Sequence, residues 1–130
     1  MARTDEKVGY LPRSERPAYT AETAASGVEG ALKVLEGRWK MIILFHLFDK
    51  GTLRFSELER AIAGVSQKML IQQLRELERD GIVGRKVYPE VPPKVEYALT
   101  EIGQALCPAL DAILIWSEKR DALIALAANS

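Results

Sequence analysis

The chain has 130 residues, enough for one domain, with 18 Lys and Arg offset by 18 Asp and Glu, 48% apolar residues and 28% charged. Apolar mass without a charge excess excludes an intrinsically disordered chain, and the balance excludes a uniformly basic nucleic-acid binder while leaving room for a local basic stripe. One Cys excludes an intramolecular disulfide and, with one His, a Cys/His zinc site.

Residues 1 to about 24 are polar, contain Pro12 and Pro17 and have no periodicity, so they read as an N-terminal arm. They hold no apolar run of signal-peptide length. The apolar stretch Met41 to Leu47 contains His46 and is too short to cross a bilayer, and no lipidation motif is present. A soluble cytoplasmic protein without membrane contact is expected.

Residues 25–130 read as a single domain. Ser26 to Glu29 has the Ser-x-x-Glu spacing of a capping box, and Val28, Ala31, Leu32 and Leu35 follow at helical spacing up to Gly37. A second helix spans about Arg38 to Asp49. Thr52 to Phe55 is a short extended stretch, and Ser56 to Glu59 is a second capping-box pattern opening a short helix to about Ala63. Gly64-Val65 makes a turn, and Ser66 caps a longer helix ending at Asp80-Gly81. Ile82 to Tyr88 and Lys94 to Leu99 alternate like strands around a turn at Pro89 to Pro93. Thr100 caps a long C-terminal helix through Trp116 and on towards Ala127, with a kink or break expected near Pro108. Helix, turn and helix at about 56–80, then a hairpin at about 82–99, spell a winged helix-turn-helix: an α+β fold, mainly α.

On a helical wheel of residues 66 to 80, Leu70, Leu74 and Leu77 fall on one side. Lys68, Gln72, Arg75 and Arg79 cluster on the other, with no acid among them. Such a face suits a DNA major groove, where Arg and Lys reach guanine edges or phosphates and Gln can pair with adenine. Because the N-terminal part of a recognition helix reaches the bases, Ser66, Gln67, Lys68 and Gln72 are favoured as base readers over Arg75 and Arg79. Arg54 turns outward opposite a core Phe55, and Arg85, Lys86 and Lys94 stud the hairpin. Charge follows the same geography: residues 50–75 hold five cations and two acids, whereas 100–130 hold two cations and four acids.

Gly37-Arg38-Trp39-Lys40, Leu53 to Leu58, Gly64 to Leu70, Gln73 to Glu78, Asp80 to Val83, Arg85, Pro92 to Thr100 and Trp116 resemble the HxlR-type winged-helix regulators, over roughly residues 26 to 117. The resemblance implies a homodimeric transcription regulator of MarR-like architecture, dimerised mainly through its first and last helices. Val28, Leu32, Leu106, Leu110, Ile113, Leu114 and Trp116 are the interface residues expected on that basis. It supports a phosphate contact at Arg54. Several members sense oxidants through a Cys in a Cys-Pro-Val-Glu pattern. Here Ser26 stands in place of that Cys, and a hydroxyl cannot do thiolate chemistry at neutral pH.

Cys107 could be a sensor thiol, but a small buried hydrophobe is the plainer reading. His46, Trp39 and Trp116 read as core or interface residues. No GxSxG, P-loop or GxGxxG motif occurs, so neither catalysis nor a cofactor is expected. The partners expected are double-stranded DNA with a pseudo-palindromic operator, a second copy of the chain and a small apolar effector, with repression as the outcome. A winged helix used only for protein–protein contact is the alternative.

Overall fold

A computed structural model describes residues 20–129. In chain order it has α1 (Ala21–Val34), α2 (Lys40–Lys50), β1 (Thr52–Arg54), α3 (Phe55–Ala61), α4 (Gln67–Arg79), β2 (Val83–Tyr88), β3 (Lys94–Leu99) and α5 (Glu101–Ala128). The expected order of elements holds throughout. The chain forms two compact units, divided after Leu35. Residues 1–19 of the expected arm lie outside the described residues.

In the first unit, α1 opens earlier than the Ser26 pattern suggests. Thr20 is its N-cap: the Thr20 hydroxyl accepts from the Thr23 amide at 3.2 Å, and the Thr20 amide donates to Thr23 Oγ1 at 2.8 Å. Residues 21–24 are therefore helical rather than arm, and Ser26 lies inside the helix rather than at its cap. Ala21, Ala24 and Ala25 are strong helix formers, so the helix extends back to the nearest residue able to cap it. No residue of α1 is buried.

The second unit is built on α2, α3 and α4. Their apolar stripes, with Ile62 just past the end of α3, supply Ile43, Leu44, Leu47, Leu58, Ile62, Leu70, Leu74 and Leu77, each at most 2% exposed. The three-stranded antiparallel sheet has the order β1-β3-β2. Leu53 pairs with Tyr97, and Arg85 pairs with Tyr97 from the other side. Leu53 and Tyr97 are buried, which fixes the register, because a one-residue slip would turn both to solvent. The start of α3 is displaced by two residues from the Ser56 pattern: Arg54 is the N-cap, and its amide donates to Glu57 Oε1 at 2.8 Å.

The end of α4 and the start of α5 are bolted together. Gly81, at φ +77, gives the left-handed turn after α4; its amide donates to Glu78 O, and the Ile82 amide donates to Leu77 O at 2.9 Å. Thr100 caps α5 through the Gly103 amide, donates its own amide to Ile82 O at 3.0 Å, and donates its hydroxyl to Gly81 O at 2.6 Å. Gly103 lies so close to the Ile82 carbonyl that no side chain fits. Helix α5 runs 28 residues, about 42 Å, without the expected break at Pro108. Gln104 and Pro108 are both exposed, so the carbonyl that Pro108 leaves unpaired faces water.

Gly103→Ala should therefore drive its new methyl into backbone that cannot move without shifting the end of α4. The expected loss is about 1–3 kcal/mol, an overpacking cost, read as a lower urea midpoint at unchanged slope.

Candidate nucleic-acid interface

Helix α4 is positioned by its cap and its leucines. Ser66 Oγ accepts from the Met69 amide at 3.1 Å. Leu70, Leu74 and Leu77 hold one face against the core, and Gln67, Lys68, Gln72, Arg75 and Arg79 stand exposed on the other. The wheel expected that division. Ser66 is exposed too, with its hydroxyl engaged in capping.

Facing this helix is the hairpin. Between them runs a groove of about 1130 Å³ that brings together Arg54, Gln67, Arg75, Arg79, Arg85 and Lys94. Phe55, Ile71 and Tyr97 form apolar parts of its wall, and Val91, Pro92 and Pro93 line its hairpin side. Five cations and two carboxylates, Glu78 and Glu90, line it, so the groove carries the positive charge that the whole chain lacks. Lys68 and Gln72 lie on an adjoining depression of α4, which shares Gln67, Arg75 and Arg79 with the groove. The structure thus gathers Arg54, Gln67, Arg75, Arg85 and Lys94 around one groove, with Lys68 and Gln72 on its flank.

Two of the hairpin cations are already oriented by carboxylates. Arg85 Nε lies 3.3 Å from Glu78 Oε1, which ties β2 to α4. Lys94 Nζ lies 3.4 Å from Glu96 Oε2, and Glu96 Oε1 accepts the Tyr88 hydroxyl at 2.8 Å. Both Lys86 and Lys94 place their ammonium groups over the Tyr88 ring, at 4.8 and 4.6 Å. The Tyr88 hydroxyl first, and Lys94 after it, hold the Glu96 carboxyl below its ordinary range. Burial raises the Tyr97 phenol above its ordinary range, and the Glu78 charge adds to the effect.

The anchor of α4 was not legible as a functional feature. Lys40, 3% exposed, places Nζ 2.7 Å from Glu76 Oε1 and donates to Glu36 O at 3.0 Å. Hydrogen bonding from Lys40 depresses the Glu76 carboxyl. Gly37, at φ +142, makes room: a Cβ there would stand 2.8 Å from Gln73 Oε1 and 3.2 Å from Lys40 Cδ. Gln73 is buried beside them, and its Oε1 has no partner among the described residues. One signal pointed here. Lys40 shares the i, i+3, i+4, i+7 spacing of Ile43, Leu44 and Leu47, a cation in the buried stripe of α2.

Two sequence expectations change, at Leu110 and Cys107. Leu110, assigned to an interface, is 5% exposed and belongs to the chain's own core, where α5 meets the rest of the second unit. Leu106 is half-buried, whereas Val28, Leu32, Ile113, Leu114 and Trp116 are exposed. Cys107 is exposed rather than buried, although it shares the Gly103 and Leu110 face of α5, and it lines an open depression with Leu47, Phe48, Gly51 and Thr52. His46 and Trp39 are half-buried; Trp39, at φ +83, carries the Arg38 guanidinium 4.7 Å from its ring centre. Among the described residues no cluster of three His, Cys, Asp or Glu could hold a metal ion, and no helix is long and apolar enough to cross a membrane.

The model of the HxlR-like helix-turn-helix family matches residues 34–122. The chain belongs to that family. It is 50% identical over 92 residues to the uncharacterized HTH-type transcriptional regulator YdeP of Bacillus subtilis (strain 168), covering 71% of each chain. A crystal structure from Enterococcus faecalis V583, assigned to the MarR family of transcriptional regulators, superposes with a TM-score of 0.76 at 38% identity, covering 86% of this chain and 98% of that one. The redox regulator HypR in its reduced form superposes with a TM-score of 0.68 at 49% identity, covering 76% and 98%. This HxlR-type protein is therefore a transcriptional regulator with a winged helix-turn-helix.

The Lys40–Glu76 contact is expected to make stability fall in acid. Glu76 has a depressed folded pKa, so its contribution is complete above the ordinary glutamate value of 4.5 and is lost as pH falls through the lower folded value. Chemical denaturation at a series of pH values should show wild-type stability declining below that ordinary value. Glu76→Gln should be less stable at neutral pH and decline less steeply in acid.

Proposed function

We propose that this regulator binds DNA as a homodimer and reads a pseudo-palindromic operator, with α4 in the major groove and the hairpin as a wing on the flanking backbone. The observation that carries this reading is the juxtaposition of an exposed Gln67, Lys68, Gln72 and Arg75 face with a groove of five cations walled by the wing. Gln67, Lys68 and Gln72, in the first two turns of α4, face the base edges. Arg54, Arg75, Arg85 and Lys94 take phosphates. A chain of zero net charge then has weak non-specific affinity, because only the local groove neutralises phosphate.

Dimerisation is supported by apolar surface left exposed among the described residues. Ile113, Leu114, Ile115 and Trp116 are 48–61% exposed, and Leu123, Ile124 and Leu126 are 52–68% exposed. After Leu110 no residue of α5 is buried. Val28 and Leu32 of α1 are likewise 60% and 52% exposed. Exposed patches of this extent mark interfaces in soluble proteins, and an isolated helix of the length of α1 is marginal in water. Two-fold symmetry would set the two α4 helices about 34 Å apart, one turn of DNA. Bound across two successive grooves, the dimer occludes that DNA, so repression is the sign we assign. A small apolar effector that prefers one spacing of the reading heads would tune operator affinity. The cytoplasm is where such a regulator would work.

The test is binding to the duplex upstream of its own gene against a scrambled duplex at a series of salt concentrations, followed by selection from random duplexes. We expect preference for a two-fold repeated sequence and a steep fall with salt. Arg75→Ala should lower the salt slope by about 1 without changing the selected sequence. An empty selection overturns the reading and leaves protein docking as the use of this face.

A double Leu114→Glu, Trp116→Glu variant should sediment as a monomer. It should lose affinity for the full repeat far more than for a single half-site. A variant that stays dimeric would place the interface elsewhere.

A further inference from the structure

In the segment Gly37-Arg38-Trp39-Lys40, Gly37 and Lys40 serve the anchor of α4, whereas Arg38 and Trp39 have no part in it. Trp39 holds φ +83, a left-handed backbone that bulky residues rarely adopt and that persists only where the surroundings impose it. Here Gly37 and Lys40, on either side of Arg38 and Trp39, are fixed against Gln73 and Glu76 of α4. With that backbone the indole reaches the turn between α3 and α4, where a Cβ on Gly64 would lie 3.6 Å from Trp39 Cη2. The Arg38 guanidinium lies on the same ring, 4.7 Å from its centre. Arg38 is exposed. Unlike Arg85 and Lys94, which face Glu78 and Glu96, it pairs with no carboxylate among the described residues.

These contacts fix where Arg38 stands relative to α4. At about 100° per residue, Gln67, Ile71 and Glu78 lie on one side of the exposed Lys68, Gln72, Arg75 and Arg79 stripe, and Gln73 and Glu76 lie on the other. The first side faces the hairpin: all three residues line the groove, and Glu78 meets Arg85. The second side meets Gly37 and Lys40. The start of α2 and the hairpin therefore flank the exposed face of α4 from opposite sides.

We propose that Arg38 is a further phosphate-binding site, on the flank of α4 away from the wing. This rests on the DNA reading above. A helix in the major groove lies between two phosphate backbones; with the wing on one, Arg38 stands on the side of the other. Stacking occupies the face of the guanidinium and leaves its edge N–H groups free to take a phosphate bidentately. The indole holds the arginine in place before DNA arrives, so less side-chain freedom is lost on docking. Contacts on both flanks fix the rotation of α4 in the groove, and with it the register of Gln67, Lys68 and Gln72 on the bases.

The test is phosphate neutralisation. The selected operator duplex carries one uncharged methylphosphonate at each position in turn, and binding is measured for wild type, Arg38→Gln, Arg85→Ala and Lys94→Ala. The two wing variants identify the wing-side phosphates, as those whose neutralisation they no longer feel. In wild type, neutralising a phosphate on the opposite strand, across the major groove, should weaken binding about tenfold; Arg38→Gln should be about tenfold weaker on the unmodified duplex and indifferent to that one change. Its salt slope should fall by about 1 per half-site, with the selected sequence unchanged. Glutamine keeps an apolar stem on the indole, so the thermal midpoint should be retained. Arg38→Lys keeps the charge and should restore both the salt slope and the sensitivity to that phosphate, which a merely structural role would not do. Undiminished sensitivity in Arg38→Gln overturns the proposal whatever its midpoint, as does a phosphate that maps to the wing's strand or a preference lost at one base position. A wing that maps to no phosphate overturns the two-sided grip as well. If wild type selects no sequence, the DNA reading falls first and this inference with it; if it selects one and the Arg38 variants bind it like wild type, only this inference falls.

Discussion

A lysine ammonium in the core governs how the rest of the second unit can be arranged. Burying Lys40 is unfavourable unless its charge is matched and its hydrogen bonds are made. Glu36 O and the Glu76 carboxylate provide that match from two directions. The first ties the start of α2 to the turn before it; the second ties α2 to the middle of α4. A hydrophobic stripe alone would let α4 slide or rotate by small amounts, because leucine contacts are not directional. A charge-assisted bond at 2.7 Å restricts that freedom. Gly37 is part of the same solution, since any side chain there would collide with Gln73 and Lys40.

The far end of α4 is held by a different device. Gly81 reverses the chain, Ile82 closes the last turn, and Thr100 bonds both carbonyls before starting α5. With Gly103 packed on Ile82, the first turn of α5 and the last turn of α4 move as one piece. A change in direction of α5 therefore reaches α4 through backbone contacts, not through a soft layer of side chains. This is the mechanical requirement for coupling between the apolar α5 surface and the exposed polar face of α4, which lie on different parts of the same unit. It also explains why Leu110 belongs to the core: it is the last residue of α5 packed inward before the helix leaves the support of the rest of the unit.

Patterns that depend on one element's own periodicity were legible in the sequence. The leucines of α4, its Ser66 cap, the Thr100 cap and both hairpin strands needed only spacing and cap chemistry. Where two local patterns competed, spacing was ambiguous. Ser26-x-x-Glu29 and Ser56-x-x-Glu59 both have capping-box form, but Thr20 with Thr23 and Arg54 with Glu57 cap the helices instead. Local spacing cannot tell a cap from a helical serine when good helix formers continue upstream. Pro108 misled for a related reason: the cost of a proline depends on whether the freed carbonyl meets water, which is a property of the face and not of the residue. Lys40 was hidden because a lysine in an apolar stripe becomes intelligible only once Glu76, 36 positions away, is brought beside it. Arg54, Gln67, Arg75, Arg85 and Lys94 come together around one groove with Lys68 and Gln72 on its flank, but the carboxylates beside the hairpin cations, Glu78 and Glu96, were not singled out by spacing.

Those carboxylates change what the cations can do. Glu78 holds Arg85, and Glu96 holds Lys94 while the Tyr88 ring lies under both Lys86 and Lys94. A flexible lysine loses side-chain entropy when it docks on a phosphate; one already directed by a neighbour loses less. The exposed ion pairs contribute little to stability, but they direct the charges, because the same acid that weakens the local potential also narrows the directions a cation can take. Pro92 and Pro93 restrict the turn between the two strands in the same sense, by limiting the backbone rather than the side chains. Zero net charge has a different origin: the groove keeps an excess of cations over its two carboxylates, and the balancing acids include the surplus in residues 100–130, so the positive potential is local and the long-range attraction to a polyanion is weak.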